Sequence, residues 1–463
     1  MTCGLLTVLN KCGCFLMLNR CDLHPYQEKA VDFICERKKV AAWLFLGAGK
    51  TVITLTAVSD LLNASIIKRP LIIGPIRVIQ NVWRQEAAQW SHLKNLTFSI
   101  AMGTEKERRA GLNAKADIYM INREQIQWLV KACDKTWPFD CIVIDETTKV
   151  CRDWSGKRFK ALKRTIPATN FMIQLTGTPG NLMSIFPQMY LLDKGEALGK
   201  HITGYRKEHF NVDFFGHTYI PKADAGPPIY EKINHLVLSM ESSDYMELPE
   251  LINLTQKTSL DSVLMEKYKT LKRDLLLKTT SGTIEATNAA VLSGKLQQFT
   301  SGFLYDDDKN IIHLHDAKLN LLEEIFEENE NEQFIVAYFF QADLPKILKR
   351  FPHARTIKGP DDITDWNAGK IDMLCLHPSS DANGLNLQYN KKGATIIWYT
   401  STWNLENYTQ LIGRLRRQNQ TRPVRNISLV ITGTIDERIC KAMIEKKRGE
   451  DEMIRALKKE FEE

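Results

Sequence analysis

The sequence predicts an α/β protein with two lobes of parallel sheet, a helical insertion between them and a C-terminal helix. Three observations predict it. From Val40 to Thr176, short apolar runs alternate with longer helical stretches. The same alternation resumes at Gln333. Between the two, residues 201–310 break the rhythm. Short runs that are apolar throughout fit strands covered on both faces, the environment of a parallel sheet between helices. Length agrees, since 463 residues suggest roughly three units at ~150 residues each.

Residues 1–22 form an N-terminal extension. Cys3, Cys12, Cys14, Cys21 and Cys35 crowd the start, with His24 beside them. No C-x-x-C pair occurs among them, so zinc is not expected. Ten cysteines in the whole chain are too few for a disulfide scaffold and suit a reducing cytoplasm. The apolar start carries only Lys11 before Arg20 and lacks the basic opening of a signal peptide. Recognisable organisation begins at Leu23, which leaves Met17 as an alternative first residue. No apolar run reaches the ~18 residues of a membrane span, so no membrane partner is expected.

The first lobe is assigned to 23–200. Its strands are expected at Val40–Leu46, Pro70–Gly74, Asp117–Ile121, Cys141–Asp145 and Phe171–Thr176, with helices at Thr51–Leu62 and Gln80–Trp90. In 201–310, Phe214–Tyr230 carries Gly and Pro and reads as a loop or hairpin, while Asp261–Lys278 and Ile284–Phe299 read as helices. The second lobe, 311–434, has strands at Gln333–Tyr338, Ile371–Leu376, Ala394–Tyr399 and Arg425–Ile431, and helices at Ala342–Arg350 and Leu405–Arg416. Residues 435–463 are one helix of mixed charge, read as solvated.

Composition narrows the function only slightly. With 44% apolar and 25% charged residues, the chain is globular rather than disordered. A net charge of +7, from 62 basic and 55 acidic residues, permits a nucleic-acid partner without demanding one.

The motifs carry more. Gly47-Ala48-Gly49-Lys50-Thr51 follows a strand and opens a helix. Glycines let backbone N–H groups approach a polyphosphate, and a helix N-terminus favours its charge. In that pattern Lys50 reaches the β and γ phosphates of ATP and Thr51 holds Mg2+. The full pattern has a glycine where Leu44 stands. About 95 residues further on, Ile142-Val143-Ile144 closes with Asp145 and Glu146. Carboxylates at a strand's C-terminal end face the crevice of the phosphate loop. There Asp145 is a magnesium ligand, and Glu146 orients or deprotonates the attacking water. Thr176-Gly177-Thr178-Pro179 ends another strand as a turn. In the other half, Arg414 and Arg417 lie three apart and are expected on one helix face. Paired guanidiniums neutralise a transferring γ-phosphoryl group, although a basic helix surface has the same pattern.

In this order the motifs resemble superfamily-two helicases, and within them the Swi/Snf-type ATPases, especially compact versions from phages and bacteria. The resemblance covers roughly Leu23 to Lys447. Leu23-His24-Pro25-Tyr26-Gln27 is similar to the adenine-recognising glutamine motif, which makes Gln27 a nucleotide contact. Gly47–Thr51 resembles motif one, which adds Gly47, Ala48 and Gly49 as nucleotide contacts, and Pro75 to Trp83 resembles its follow-up segment. Asp145-Glu146-Thr147-Thr148 stands where the family has Asp-Glu-x-His. Thr176–Pro179 resembles motif three and assigns Thr178 to nucleic acid. Asn383-Gly384-Leu385-Asn386-Leu387-Gln388 resembles motif five and assigns Gly384 and Asn386 to the nucleotide. Gln410 through Gln420 resembles motif six, Gly433–Glu437 the segment after it, and Asp316-Ala317-Lys318 the opening of the second lobe. The chain departs at Thr148, where histidine is usual, at Asn419, where glycine is usual, and at Leu44-Phe45-Leu46, where Asp-Glu-Met is usual. Lys50, Glu146, Arg414 and Arg417 are all present, so an intact ATPase is expected.

The resemblance implies a monomeric motor with ATP and Mg2+ between two RecA-like lobes, the second lobe delivering the arginines. DNA lies across both lobes, as duplex and without sequence preference. Lys149, Arg152, Lys157, Arg158, Lys160, Lys163 and Arg164 crowd sixteen positions opposed only by Asp153. Of these, Lys149, Arg152 and Lys157 are assigned to backbone phosphates, and a solvated basic helix reads equally well. Three functions stay open: a DNA-dependent ATPase and duplex translocase, a strand-separating helicase, and a non-hydrolysing ATP-gated clamp. No bromodomain-like or chromodomain-like addition is seen, so a nucleosome substrate is not expected.

Overall fold

The computed structural model describes residues 17–133, 136–212, 219–241, 245, 248–280, 286–306, 308–329, 332–379, 385–390, 392–417 and 420–458. The chain divides into two compact units. One is Met1–His209 with Pro221–Tyr245 and Glu452–Glu463, and the other is Phe210–Ile220 with Met246–Asp451.

The first unit holds strands β1 (Lys39–Leu44), β2 (Pro70–Gly74), β3 (Phe98–Ile100), β4 (Ile118–Asn122), β5 (Cys141–Asp145) and β6 (Phe171–Thr176). Beyond a small two-stranded sheet of β7 (Phe210–Val212) and β8 (Tyr219–Pro221), the chain adds β9 (Val237–Met240). Among the described residues the main sheet runs β3-β4-β2-β5-β6-β1-β9, with every pairing parallel. Strands β2, β4 and β6 are buried along their whole length, as a sheet covered by helices on both faces requires. Register positions the site. Asp145 pairs with Leu175, and Trp43 with Thr176. Strands β1, β5 and β6 therefore end level, and the segments that follow them leave the sheet at one edge.

The second unit carries β10 (Leu251–Thr258), a hairpin of β11 (Phe303–Tyr305) and β12 (Ile311–His313), β13 (Phe334–Ala337), β14 (Arg355–Thr356), β15 (Met373–Leu376), β16 (Thr395–Trp398) and β17 (Val424–Ile431). Its main sheet runs β10-β17-β16-β13-β15-β14, again all parallel. Each unit is thus an α/β lobe of the RecA-like kind that the alternation of runs and helices predicts.

The structure differs from expectation in three places. Residues 201–310 are divided rather than forming one insertion: helix Gly226–Ile233 and β9 belong to the first unit, and β10 with helices Ser262–Thr280 and Ala286–Thr300 belongs to the second. Of the expected loop or hairpin at Phe214–Tyr230, 214–218 lie outside the described residues. Second, four strands of the two main sheets have no counterpart among the expected runs. Strands β3, β9 and β14 are only two to four residues long. Strand β10, Leu-Ile-Asn-Leu-Thr-Gln-Lys-Thr, is a largely exposed edge that pairs with β17 on one side only. Third, the C-terminal helix Ile435–Lys458 is not solvated all round. Ile435, Ile439 and Met443 recur every four residues and enter a core with Leu260, Tyr268, Leu296 and Phe299.

Candidate nucleotide site

The phosphate loop leaves β1 and enters helix Lys50–Asn63. Gly47 and Gly49 hold φ of 93° and 81°, a left-handed region where a side chain is strained. Lys50 Nζ donates to the carbonyls of Leu44 (3.0 Å) and Phe45 (3.1 Å), so the ammonium lies inside the turn. Helix Pro25–Arg37 braces the loop from outside. Ala48 O accepts from Gln27 Nε2 at 3.0 Å and from the Tyr26 hydroxyl at 3.3 Å, while Gln27 Oε1 accepts from the His24 N–H at 2.9 Å. These two bonds use one N–H and one lone pair of the Gln27 amide. Rings of His24, Phe45 and Tyr245 surround Tyr26 at 5.4, 5.9 and 4.8 Å between centroids. Tyr245 gave no sequence signal, because it stands 195 positions beyond Lys50 in a stretch without motif.

Asp145 and Glu146 close β5 at the same edge. Burial, then the neighbouring Glu146 charge, push the Asp145 carboxyl well above the ordinary carboxylate range, while Lys50 and Arg123 act against this. Arg123, directly after β4, is a second residue the sequence reading passed over; its signal was the polar triplet Asn122-Arg123-Glu124 ending an apolar run. Gly74 clears space for the pair: a Cβ there would lie 3.3 Å from Asp145 Cβ. Glu146 takes φ of 56°, and its buried Oε2 meets no hydrogen-bond donor among the described residues. Thr147 Oγ1 donates to the carbonyls of Ile144 and Leu175, fastening the segment to β6. Thr51, in the first helical turn, and Asp145 offer the hard oxygen donors that magnesium takes.

Thr178 is 2% exposed, and the turn folds back on itself through Thr176 Oγ1, which accepts from the Thr178 N–H at 3.0 Å. The Thr148 methyl lies 3.6 Å from where a Gly180 Cβ would stand, so the two motifs touch without an imidazole. In the basic stretch, Lys163 lies over the rings of Trp154 and Tyr190 at 4.4 and 4.3 Å, Arg158 bonds the Lys149 carbonyl, and Lys149 is half-buried. Arg152, Lys157, Lys160 and Arg164 are the exposed members.

In the second unit, Asn383, Gly384, Gln418 and Asn419 lie outside the described residues. Helix Leu405–Leu415 includes Arg414 but stops before Arg417. Arg416 takes ψ of 79°, and the Arg417 N–H turns back to Leu415 O at 3.0 Å. The shared helix face expected for Arg414 and Arg417 is therefore not formed. Arg417 instead donates from Nη1 to Asn386 Oδ1 at 2.6 Å, and Arg416 donates from Nε to Pro249 O at 3.0 Å. The segments at 316–318 and 433–437 meet in a buried ion pair, Lys318 Nζ to Asp436 Oδ2 at 2.8 Å. None of the helices among the described residues is long and apolar enough to cross a membrane.

The chain is similar to several known proteins. The family described as type III restriction enzyme, res subunit, matches residues 20–181. Protein p41 of Acyrthosiphon pisum secondary endosymbiont phage 1 is 33% identical, over 94% of this chain and 98% of its own length. The CHD3-type chromatin-remodeling factor PICKLE of Arabidopsis thaliana is 23% identical over 90% of this chain, which spans only 33% of that protein. The ATP-dependent helicase YqhH of Bacillus subtilis is 22% identical over 91% of this chain and 78% of its own.

Proposed function

The chain belongs to the Swi/Snf-type ATPases of helicase superfamily two, and from that premise we propose that it is a DNA-dependent ATPase that converts hydrolysis into movement along duplex DNA. One observation carries the reading: β1 and β5 end level, so Lys50 and the Asp145–Glu146 pair leave one sheet edge together. Lys50 exchanges two backbone carbonyls for the β and γ phosphates. Thr51 and Asp145 would hold magnesium, whose charge offsets that of the phosphates when it is bound. Glu146 accepts the proton of the attacking water, and its unpartnered Oε2 supports this role over that of a passive clamp. To Arg414 and Arg417 we assign the charge that neutralises the transferring phosphoryl group. The exposed Arg152 and Lys157 are our candidates for backbone phosphates. The test is ATP turnover by the full chain with and without random duplex DNA, at rising salt. Turnover should rise with DNA, and DNA affinity should fall linearly with salt on logarithmic axes. Turnover indifferent to DNA, or absent, would sink the reading. A fork substrate then separates translocation from strand separation.

A further inference from the structure

Asn386, which the sequence assigns to the nucleotide, offers its side-chain oxygen to an arginine. Arg417 stands beyond its helix, where nothing in local geometry aims a long side chain. Its Nη1 meets Asn386 Oδ1 at 2.6 Å. Asn386 is itself fixed by the backbone around it. Asn367 Nδ2 donates to Asn386 O at 3.1 Å, Trp366 Nε1 to Leu387 O at 3.1 Å, and Gln420 Nε2 to Gln388 O at 3.2 Å. Residues 386–388 are thus gripped from helix Pro360–Asn367 on one side and by the side chains of Arg417 and Gln420 on the other. Trp366 is fully buried, so the grip is anchored in the core.

The choice of an amide matters chemically. A carboxylate would hold the guanidinium as firmly but cancel its charge, and the charge is what acts on a transferring phosphoryl group. A neutral carbonyl fixes direction and leaves the charge whole.

We propose that Asn386 is the positioning residue of Arg417, acting on turnover only through that guanidinium; the proposal rests on the reading of Arg417 given above. A double-mutant cycle tests it in the full chain, with DNA-stimulated turnover, KM for ATP and thermal unfolding measured for each variant. Asn386→Ala should lower kcat roughly tenfold to a hundredfold, the scale of a misplaced catalytic group, with KM nearly unchanged. In the Arg417→Ala background the same change should cost less than about twofold, since the two act as one unit. Asn386→Asp keeps the bond and should still lose at least as much as the alanine variant. Losses that multiply across the cycle, or full activity of Asn386→Asp, overturn the proposal while leaving Arg417 its role. A silent Arg417→Ala overturns that role and the proposal together.

Discussion

Gly49→Ala tests whether the phosphate loop is shaped by backbone conformation and by its brace. Gly49 sits at φ of 81°, and a Cβ there would come within 2.3 Å of Gln27 Nε2 and 3.2 Å of Val52 Cγ1. The left-handed backbone costs a residue with a Cβ about 1–2 kcal/mol. The 2.3 Å approach drives the Gln27 amide off Ala48 O, losing about 0.5–1.5 kcal/mol of net hydrogen bonding. Together these give roughly 2–3 kcal/mol, or about 4–12 °C in Tm for a unit of this size. The assay is thermal unfolding followed by circular dichroism, beside equilibrium binding of a fluorescent ATP analogue. Gly204→Ala is the control, because a Cβ there meets nothing within 4 Å in helix Ile202–His209. It should be neutral or stabilising by up to about 1 kcal/mol. Adding Gln27→Ala to Gly49→Ala should cost little further, since the bond to Ala48 O is already lost, and should leave the backbone part in place. Wild-type Tm and affinity in Gly49→Ala, or an equal loss in Gly204→Ala, would refute the reasoning.

Lys50→Ala should abolish turnover while the far-ultraviolet spectrum stays that of the folded chain; near-normal turnover would show that Lys50 only plugs the loop. Glu146→Gln should bind ATP but hydrolyse it at least about a hundredfold more slowly, as loss of a general base does, and joint loss of binding would mark Glu146 as structural. Arg417→Ala and Arg414→Ala should each cut DNA-stimulated turnover by roughly 10³-fold. The exposed Arg422 is the right control, because Arg416 supports the Pro249 carbonyl, and equal losses in all three would argue for a merely basic surface. Asp343 tests a buried acid. Burial raises its carboxyl to about 6, against hydrogen bonds from Thr400 Oγ1 and the Phe340 N–H. The folded state therefore binds the proton more tightly, and wild-type stability should fall as pH rises from about 4 to 6 and be level above. Against Asp343→Asn, which does not titrate, the difference should move by about 2–3 kcal/mol across that window. A constant difference between pH 4 and 7 in denaturant melts would show that Asp343 does not titrate there.

The α/β class, the two lobes and the placing of the first lobe's motif residues at strand ends were legible in the sequence. The reason is physical. A strand covered on both faces must be apolar throughout, as Pro70–Gly74 and Cys141–Asp145 are. A phosphate loop must place Gly47, Gly49, Lys50 and Thr51 within five positions, because backbone and helix end act on one anion. Neighbouring residues on one element carry their geometry in their spacing. What spacing could not carry was decided by tertiary structure. Strand β10 pairs along one edge only, so nothing obliges it to be apolar. The mixed-charge C-terminal helix hides an apolar face that packs on Leu260, Tyr268, Leu296 and Phe299, far earlier in the chain. The end of helix Leu405–Leu415 separates Arg414 from Arg417, and a bond from Asn386, 31 positions away, decides where Arg417 points. Helix endings and side-chain directions depend on distant partners, and only the folded chain brings those partners together.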